Sequence, residues 1–357
     1  TLSQLSISQS NFMVLVTSLI IGTALMFVPS AVIVSARQDA LLALFLGMLP
    51  SAFLILVLSS LQSKFPGKTL IEYSDEILGP YLGKFVSLIF LWFIFHLSSL
   101  ILRNIGDFIS LAVLPKTPAV VIQGVVAITA AFAVRSGIEV ITRITIIIMP
   151  VAIASFIIID AVIMPKAILS RLLPLMENSL MPVIKAAIIP ASFPFGIIVV
   201  FAMILNHVDS LKRINKFAIL GVLIGFTVLA LATFRSITVI GVDSSARYVY
   251  PALEAIGEAP ASYILKMLMT ISWYVIMFIE LIICYFALNL GLGQLLGLKY
   301  YQSIVMPVGI IITAFSVFVY QNIIEEIYFA SQIWPVYSIP IEYGIPFLIW
   351  IIAKLRY

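Results

Sequence analysis

Cysteine occurs once in 357 residues, as Cys284, and histidine only twice, as His96 and His207. One thiol forbids an intrachain disulfide and any cysteine cage for zinc or an iron–sulfur cluster. Two histidines far apart in sequence make no metal-binding spacing. Charge is scarce as well: 10% of residues are charged and 62% are apolar, with a mean hydropathy of +1.19. A soluble domain is about a quarter charged. These deficits exclude a soluble globular enzyme, a disordered chain and a nucleic-acid binder. No Gly-x-Ser-x-Gly, P-loop or Gly-x-Gly-x-x-Gly is present, so neither an enzyme nor a bound cofactor or metal is expected. The apolar runs are continuous rather than alternating, which argues against a transmembrane barrel.

What the chain has is long apolar segments. A membrane helix needs ~20 of them in a row, and ten stretches qualify: 10–34, 40–62, 84–114, 118–135, 139–164, 181–206, 214–239, 262–291, 301–321 and 335–355. The first is too long for a signal-peptide core and has no basic region before it. The expected architecture is an all-α polytopic membrane protein, one membrane domain over 1–357.

Lys and Arg collect on the cytoplasmic side of membrane proteins. With the N-terminus inside, eleven fall in inner loops or at inner helix ends: Lys64, Lys68, Lys84, Arg135, Arg143, Lys212, Arg213, Lys216, Lys299, Lys354 and Arg356. Five fall outside: Arg37, Lys116, Lys166, Arg171 and Arg247. Both termini are therefore expected to be cytoplasmic. Segment 69–79 alternates Leu70, Tyr73, Ile77 and Leu78 with Glu72, Asp75 and Glu76, and Thr69 can cap it, so it predicts a helix lying on the inner surface. Segment 244–257 is its outer counterpart, a surface helix or a lid over a vestibule.

Two spans carry helix breakers at matching depth. Gly22, followed by Thr23, Ala24 and then Pro29, lies about 16 Å along span one from Asn11. In span six the run is Pro190-Ala191-Ser192-Phe193-Pro194-Phe195-Gly196. Two prolines and a glycine within seven residues cannot continue a regular helix. Bare peptide groups are tolerated at that depth only where protein or a watery cavity satisfies them. The breaks are five spans apart, which predicts two inverted five-span repeats, 10–164 and 181–355, with a ligand site between them. Freed N–H groups suit a carboxylate and freed carbonyls suit an ammonium; an α-amino acid presents both.

Ionisable residues inside spans need a reason. His96, followed by Ser98 and Ser99, is central in span three and is either a cavity or proton-responsive group or an interhelical hydrogen-bonding one. Arg103 and Asp107 are one turn apart and can pair. Glu280 lies in an apolar run of span eight, two turns after Trp273 and Tyr274, and Asp160 lies near the outer end of span five. The ligand-binding candidates are Gly22, Thr23, Ala24, His96, Ser99, Ala191, Ser192, Phe193 and Tyr274. The ion-linked or gating candidates are Glu280, Arg103 and Asp107.

The ordered set of short motifs resembles a known family. The set is Gly22-Thr23 with Phe27-Val28-Pro29 and Gln38-Asp39, then Phe65-Pro66-Gly67-Lys68-Thr69-Leu70, then Ile77-Leu78-Gly79 with Leu82-Gly83-Lys84. Arg103 with Asp107-Phe108, Leu114-Pro115, Thr117-Pro118, Arg135, Gly137-Ile138-Glu139, Arg143 and Pro194-Phe195-Gly196 complete it. Over essentially the whole chain it resembles the B subunits of GerA-type spore germinant receptors, the spore germination permease-like family of the amino acid–polyamine–organocation superfamily. The resemblance implies an amino-acid-transporter-like inverted repeat with discontinuous helices one and six. It implies residence in the inner membrane of a bacterial endospore and partnership with A and C subunits, the lipid bilayer and a small nutrient. It makes Gly22, Thr23 and Ala24 the carboxylate-binding break, and Ala191, Ser192 and Phe193 the break facing amine and side chain. In one respect this chain departs from the pattern. Where members often carry an acid after Pro-Phe-Gly, Ile197 stands here, so that charge is lost or has moved to Glu280 or His96. The implied function is nutrient sensing; a proton-coupled amino-acid permease uses the same site, and a structural or channel subunit with a vestigial cavity is the third reading.

Overall fold

The computed structural model describes residues 7–177 and 179–356. Sixteen α-helices are described: α1 (Gln9–Ile21), α2 (Ala24–Ala36), α3 (Ala40–Lys64), α4 (Leu70–Leu78), α5 (Pro80–Ala112), α6 (Ala119–Arg135), α7 (Ile138–Ile163), α8 (Leu180–Ser192), α9 (Ile214–Arg235), α10 (Val242–Arg247), α11 (Pro251–Glu254), α12 (Ser262–Leu295), α13 (Val305–Phe318), α14 (Ile323–Tyr328), α15 (Trp334–Ile339) and α16 (Ile345–Arg356). The only β pairing among the described residues is one bridge, Ile7 with Val208. Seven helical runs are long and apolar enough to cross a membrane, and α1, α6 and α13 are shorter apolar helices.

Every expected span has a helical counterpart. Span one is α1 plus α2, and span six is α8 plus the 3-10 segment Gly196–Met203. Span ten is α14, α15 and α16, joined by π-helical turns at Phe329–Ile333 and Pro340–Gly344. It starts at Ile323, well before the expected 335, because Glu325 and Glu326 depress the hydropathy of a segment that Asn322 nonetheless nucleates. The Asn322 side chain accepts the Ile324 and Glu325 N–H groups at 3.0 Å each, satisfying donors a helix start leaves bare.

Spans six and eight are the most enclosed, whereas spans five, seven and ten turn much of their surface outward. Phe45, Phe53, Trp92, Phe132, Ile147 and Ile310 are among the exposed large apolar side chains. An apolar perimeter of this extent is untenable in water and natural against acyl chains.

Helix α4 forms over the residues where the sequence predicts an amphipathic helix. Its amphipathic face buries Leu70, Ile71, Tyr73 and Ile77, and Thr69 and Glu72 form a reciprocal capping box, with the Thr69 N–H donating to Glu72 at 2.8 Å. The Thr69 hydroxyl also donates to Gln294 at 2.6 Å, fixing α4 to the end of α12. Segment 244–257 is not the single helix expected. Pro251 pushes Tyr250 out of helical conformation (φ −121°, ψ 68°) and starts a new turn, so α10 and α11 are separate. The buried Tyr250 ring packs on Phe27, Phe108 and Trp273, closing the end of the bundle above α2. The linker between the two halves is tied to the turn after span one: Asp39 accepts the Met176 N–H at 3.0 Å, and Gln38 donates to the Pro174 carbonyl at 2.8 Å.

Candidate functional site: two broken spans and the cavity beside them

Span one breaks at Gly22, whose backbone (φ −13°, ψ −120°) leaves the helix, and α2 restarts at Ala24. The break frees the Thr23 N–H. It is filled from within: Thr23 donates its N–H to Glu280 Oε2 at 2.7 Å, and its hydroxyl to Glu280 Oε1 at 3.3 Å. Glu280 is fully buried. Its carboxyl occupies the space where a side chain at position 22 would begin, so any side chain there would have to displace it. The dipole end expected to receive a ligand carboxylate thus already holds one, supplied by span eight. The carboxylate-binding role that the resemblance implies for Gly22, Thr23 and Ala24 therefore falls at a break that Glu280 contacts in this structure.

Span six breaks after Ser192. Phe193 is extended (φ −136°, ψ 114°), the Phe193–Pro194 peptide is cis, and the Phe195 N–H returns to the Pro190 carbonyl at 3.1 Å. Here too a buried acid faces the gap. The Glu342 carboxyl, from the π turn of span ten, lies where a Cβ on Gly196 would stand. The Tyr343 hydroxyl next to it donates to the Ala191 carbonyl at 2.7 Å. A buried acid from span ten thus stands beside the Pro-Phe-Gly break, next to Ile197.

A small cavity opens beside both breaks, with about 70 Å³ of space for water-sized molecules. Thr23, Phe27 and Ala31 of α2 form one wall, and Leu97, Ile101 and Asn104 of α5 another. Ile189 and Phe193 close it from span six, and Glu326, Phe329 and Trp334 from span ten. Val249 and Tyr320 sit at its end, and Ser30 ties the neighbouring Tyr248 carbonyl to α2 at 3.1 Å. Val249 of segment 244–257 lines this cavity. Glu326 is the one acid on the wall and is buried. One of its oxygens meets the Asn104 amide, turned to donate, and the other has no partner.

Of the twelve sequence-derived candidates, Thr23 and Phe193 line this cavity. His96 stands behind the wall, ringed by Trp92, Phe315, Phe329, Trp334 and Tyr337, with Nδ1 unpartnered. Ser99 and Ser192 donate into their own helices, to Phe95 and Ile189, at 2.9 Å each. Ala191 offers its carbonyl to Tyr343, Gly22 and Ala24 lie at the break, and half-buried Tyr274 is not on the cavity wall. Arg103 pairs with Asp107 at 2.6 Å, as its spacing predicts. It also donates to the Ser316, Val317 and Tyr320 carbonyls at 3.3, 3.2 and 2.9 Å, capping the end of α13. Asp160 holds Arg235 in a buried ion pair joining α7 to α9. The sequence reading missed Asn104, Glu326 and Glu342. Glu342 carried the signal that singled out Glu280, a carboxyl within an expected span; Glu326 lies before the expected start of span ten.

With this geometry in view, the comparisons are informative. A family model described as "Spore germination protein" matches residues 6–324. Spore germination protein KB of Bacillus subtilis (strain 168) is 23% identical over 362 residues, covering 98% of this chain and 95% of that protein. Spore germination protein YndE of the same organism is 20% identical over 265 residues, 73% of each. Among solved structures, MhsT in complex with L-phenylalanine superposes with a TM-score of 0.72 at 13% identity, covering 97% of this chain and 98% of that one. Mhp1, a nucleobase-cation-symport-1 family transporter in a closed conformation with bromovinylhydantoin bound, gives 0.63 at 15%, covering 93% and 78%. The fold is thus the one shared with these solved structures, with helices one and six discontinuous. An integral membrane protein with these relatives and a family match over most of its length belongs to the spore germination permease family.

Proposed function

We propose that this chain is the nutrient-sensing B subunit of a germinant receptor. It sits in the spore inner membrane with both termini cytoplasmic, and its two repeats, 10–164 and 181–355, hold a small nutrient between them. The observation that carries this reading is the cavity between the two broken spans, apolar on most sides, with one unpartnered carboxyl oxygen on Glu326. That oxygen suits a ligand ammonium, and Phe27, Phe193, Phe329 and Trp334 suit an apolar side chain or the cation itself. An α-amino acid or a related amine meets these requirements. The ligand biases the bundle only by its differential affinity for two arrangements of spans one, six and ten, and that bias passes to A and C subunits.

The test is a thermal-shift and calorimetric screen of the purified chain against the common amino acids, amines and sugars, repeated in Glu326→Gln and Phe193→Ala. A hit weakened at least tenfold by either change supports the reading. A hit indifferent to both, or none, ends the assignment of this cavity. The transporter fold favours a second reading, a proton-coupled permease; concentrative uptake into liposomes under a pH gradient would establish it over sensing.

A further inference from the structure

The two buried acids at the breaks differ in one respect. Glu280 has donors: the N–H and hydroxyl of Thr23. Among the described residues, Glu342 has no backbone donor and no counter-ion. It is fully buried, and its polar neighbour is the hydroxyl of Ser338, one turn earlier on the same span and also fully buried. The Ala191 carbonyl lies 2.9 Å from the point where a Gly196 Cβ would stand, and the Glu342 carboxyl lies against that same point. Three kinds of oxygen (carboxyl, hydroxyl and peptide carbonyl) therefore converge on the break in span six, with a π turn placing the carboxyl.

The ionisable groups around Glu342 are few. Tyr337 and Tyr343 are on its own span, and Tyr343 already donates to Ala191. His96 of α5 reaches Tyr337, ring to ring at 5.5 Å. The segment Gly196–Met203 contributes no ionisable side chain, and Lys354 and Arg356 are at the far end of α16. Nothing here supplies a positive charge to the carboxyl. An ionised carboxylate held by one hydroxyl and no counter-ion is costly in a low-dielectric interior.

We propose that Glu342, with Ser338 and the Ala191 carbonyl, forms a site for one monovalent positive charge, a proton or an alkali cation, between the break of span six and span ten. The oxygen set suits both, because hard cations take carboxylate, hydroxyl and carbonyl ligands and a proton needs only the carboxyl. The site is separate from the nutrient cavity and does not depend on what fills it. Its occupancy sets the distance between spans six and ten, which carry Phe193 and Trp334 of the cavity wall.

The experiment uses the full chain in detergent. Infrared difference spectra report a protonated carboxyl, and thermal unfolding in sodium, potassium or choline chloride at constant ionic strength reports an alkali ion. Wild type, Glu342→Gln, Glu342→Asp and Ser338→Ala are compared. If the charge is a proton, wild type shows a buried-acid carbonyl band at neutral pH that Glu342→Gln lacks and Glu342→Asp shifts. If it is an alkali ion, sodium or potassium raises the unfolding midpoint over choline, the half-effect concentration rises at least tenfold in Ser338→Ala or Glu342→Asp, and the response vanishes in Glu342→Gln. Should Glu342→Gln not fold, Glu342→Asp and Ser338→Ala decide alone. Spectra and cation responses identical to wild type in the variants that fold overturn the proposal.

Discussion

Replacing Gly22 by alanine tests the internal plug of span one. The new methyl would overlap the Glu280 carboxyl, so the carboxyl must withdraw and its bonds to Thr23 are lost. A hydrogen bond contributes ~0.5–1.5 kcal/mol net, two are lost, and forcing a methyl into a packed site costs about 1–3 kcal/mol. Gly22→Ala should therefore destabilise the fold by roughly 2–6 kcal/mol. Glu280→Ala loses the same bonds but leaves room for the methyl. The double variant should accordingly be little worse than Glu280→Ala alone, giving a coupling free energy of at least ~2 kcal/mol, well above the ~0.5 kcal/mol scatter of independent sites. Reversible unfolding in mixed micelles, run on all four proteins, measures it. Additive losses would refute the claim that the carboxyl sits in the break, and with it the reason for glycine at position 22.

Four further outcomes are expected. Asp160→Ala, which strands Arg235 in the interior, should cost about 3–5 kcal/mol, while Asp160→Leu with Arg235→Met should recover most of that in the same unfolding assay. Thr69→Ala, which removes the α4 capping box, should cost ~1 kcal/mol and speed proteolysis within 65–79. Arg103→Gln should loosen the end of α13 by uncapping its three carbonyls, visible as faster hydrogen exchange at 317–322. Burial lowers the affinity of His207 for a proton, outweighing the pull of Glu139 and Glu72. The folded state then binds fewer protons than the unfolded one, so the stability present above the ordinary imidazole range, near 6.5, is lost as pH falls below it. His207→Phe should flatten that slope relative to wild type.

The two acids the sequence reading overlooked show where one-dimensional reasoning stops. Glu280 stood out because it interrupts a long apolar run, and its pairing with Thr23, 257 residues away, has no signature in sequence. Glu342 and Glu326 lie where prolines and polar residues blur the hydropathy of span ten, and the expected span began after Glu326. Arg103–Asp107 was legible because helical geometry alone brings residues four apart together. Asp160–Arg235 was not, since each lies on a different helix and only packing joins them.

The chain's own chemistry settled the broad outline. Ten apolar segments, two sets of breakers five spans apart and a capped amphipathic helix follow from hydropathy, from the missing N–H of proline and from glycine's lack of a Cβ, all of which act locally. Only the tertiary structure decided what fills the breaks. Backbone groups released at mid-membrane must find partners, and the nearest ones come from spans eight and ten, whose registry against one and six is fixed by side-chain packing across the bundle. That packing brought the Glu280 carboxyl to the break of span one and put Asn104 and Glu326 on the cavity wall.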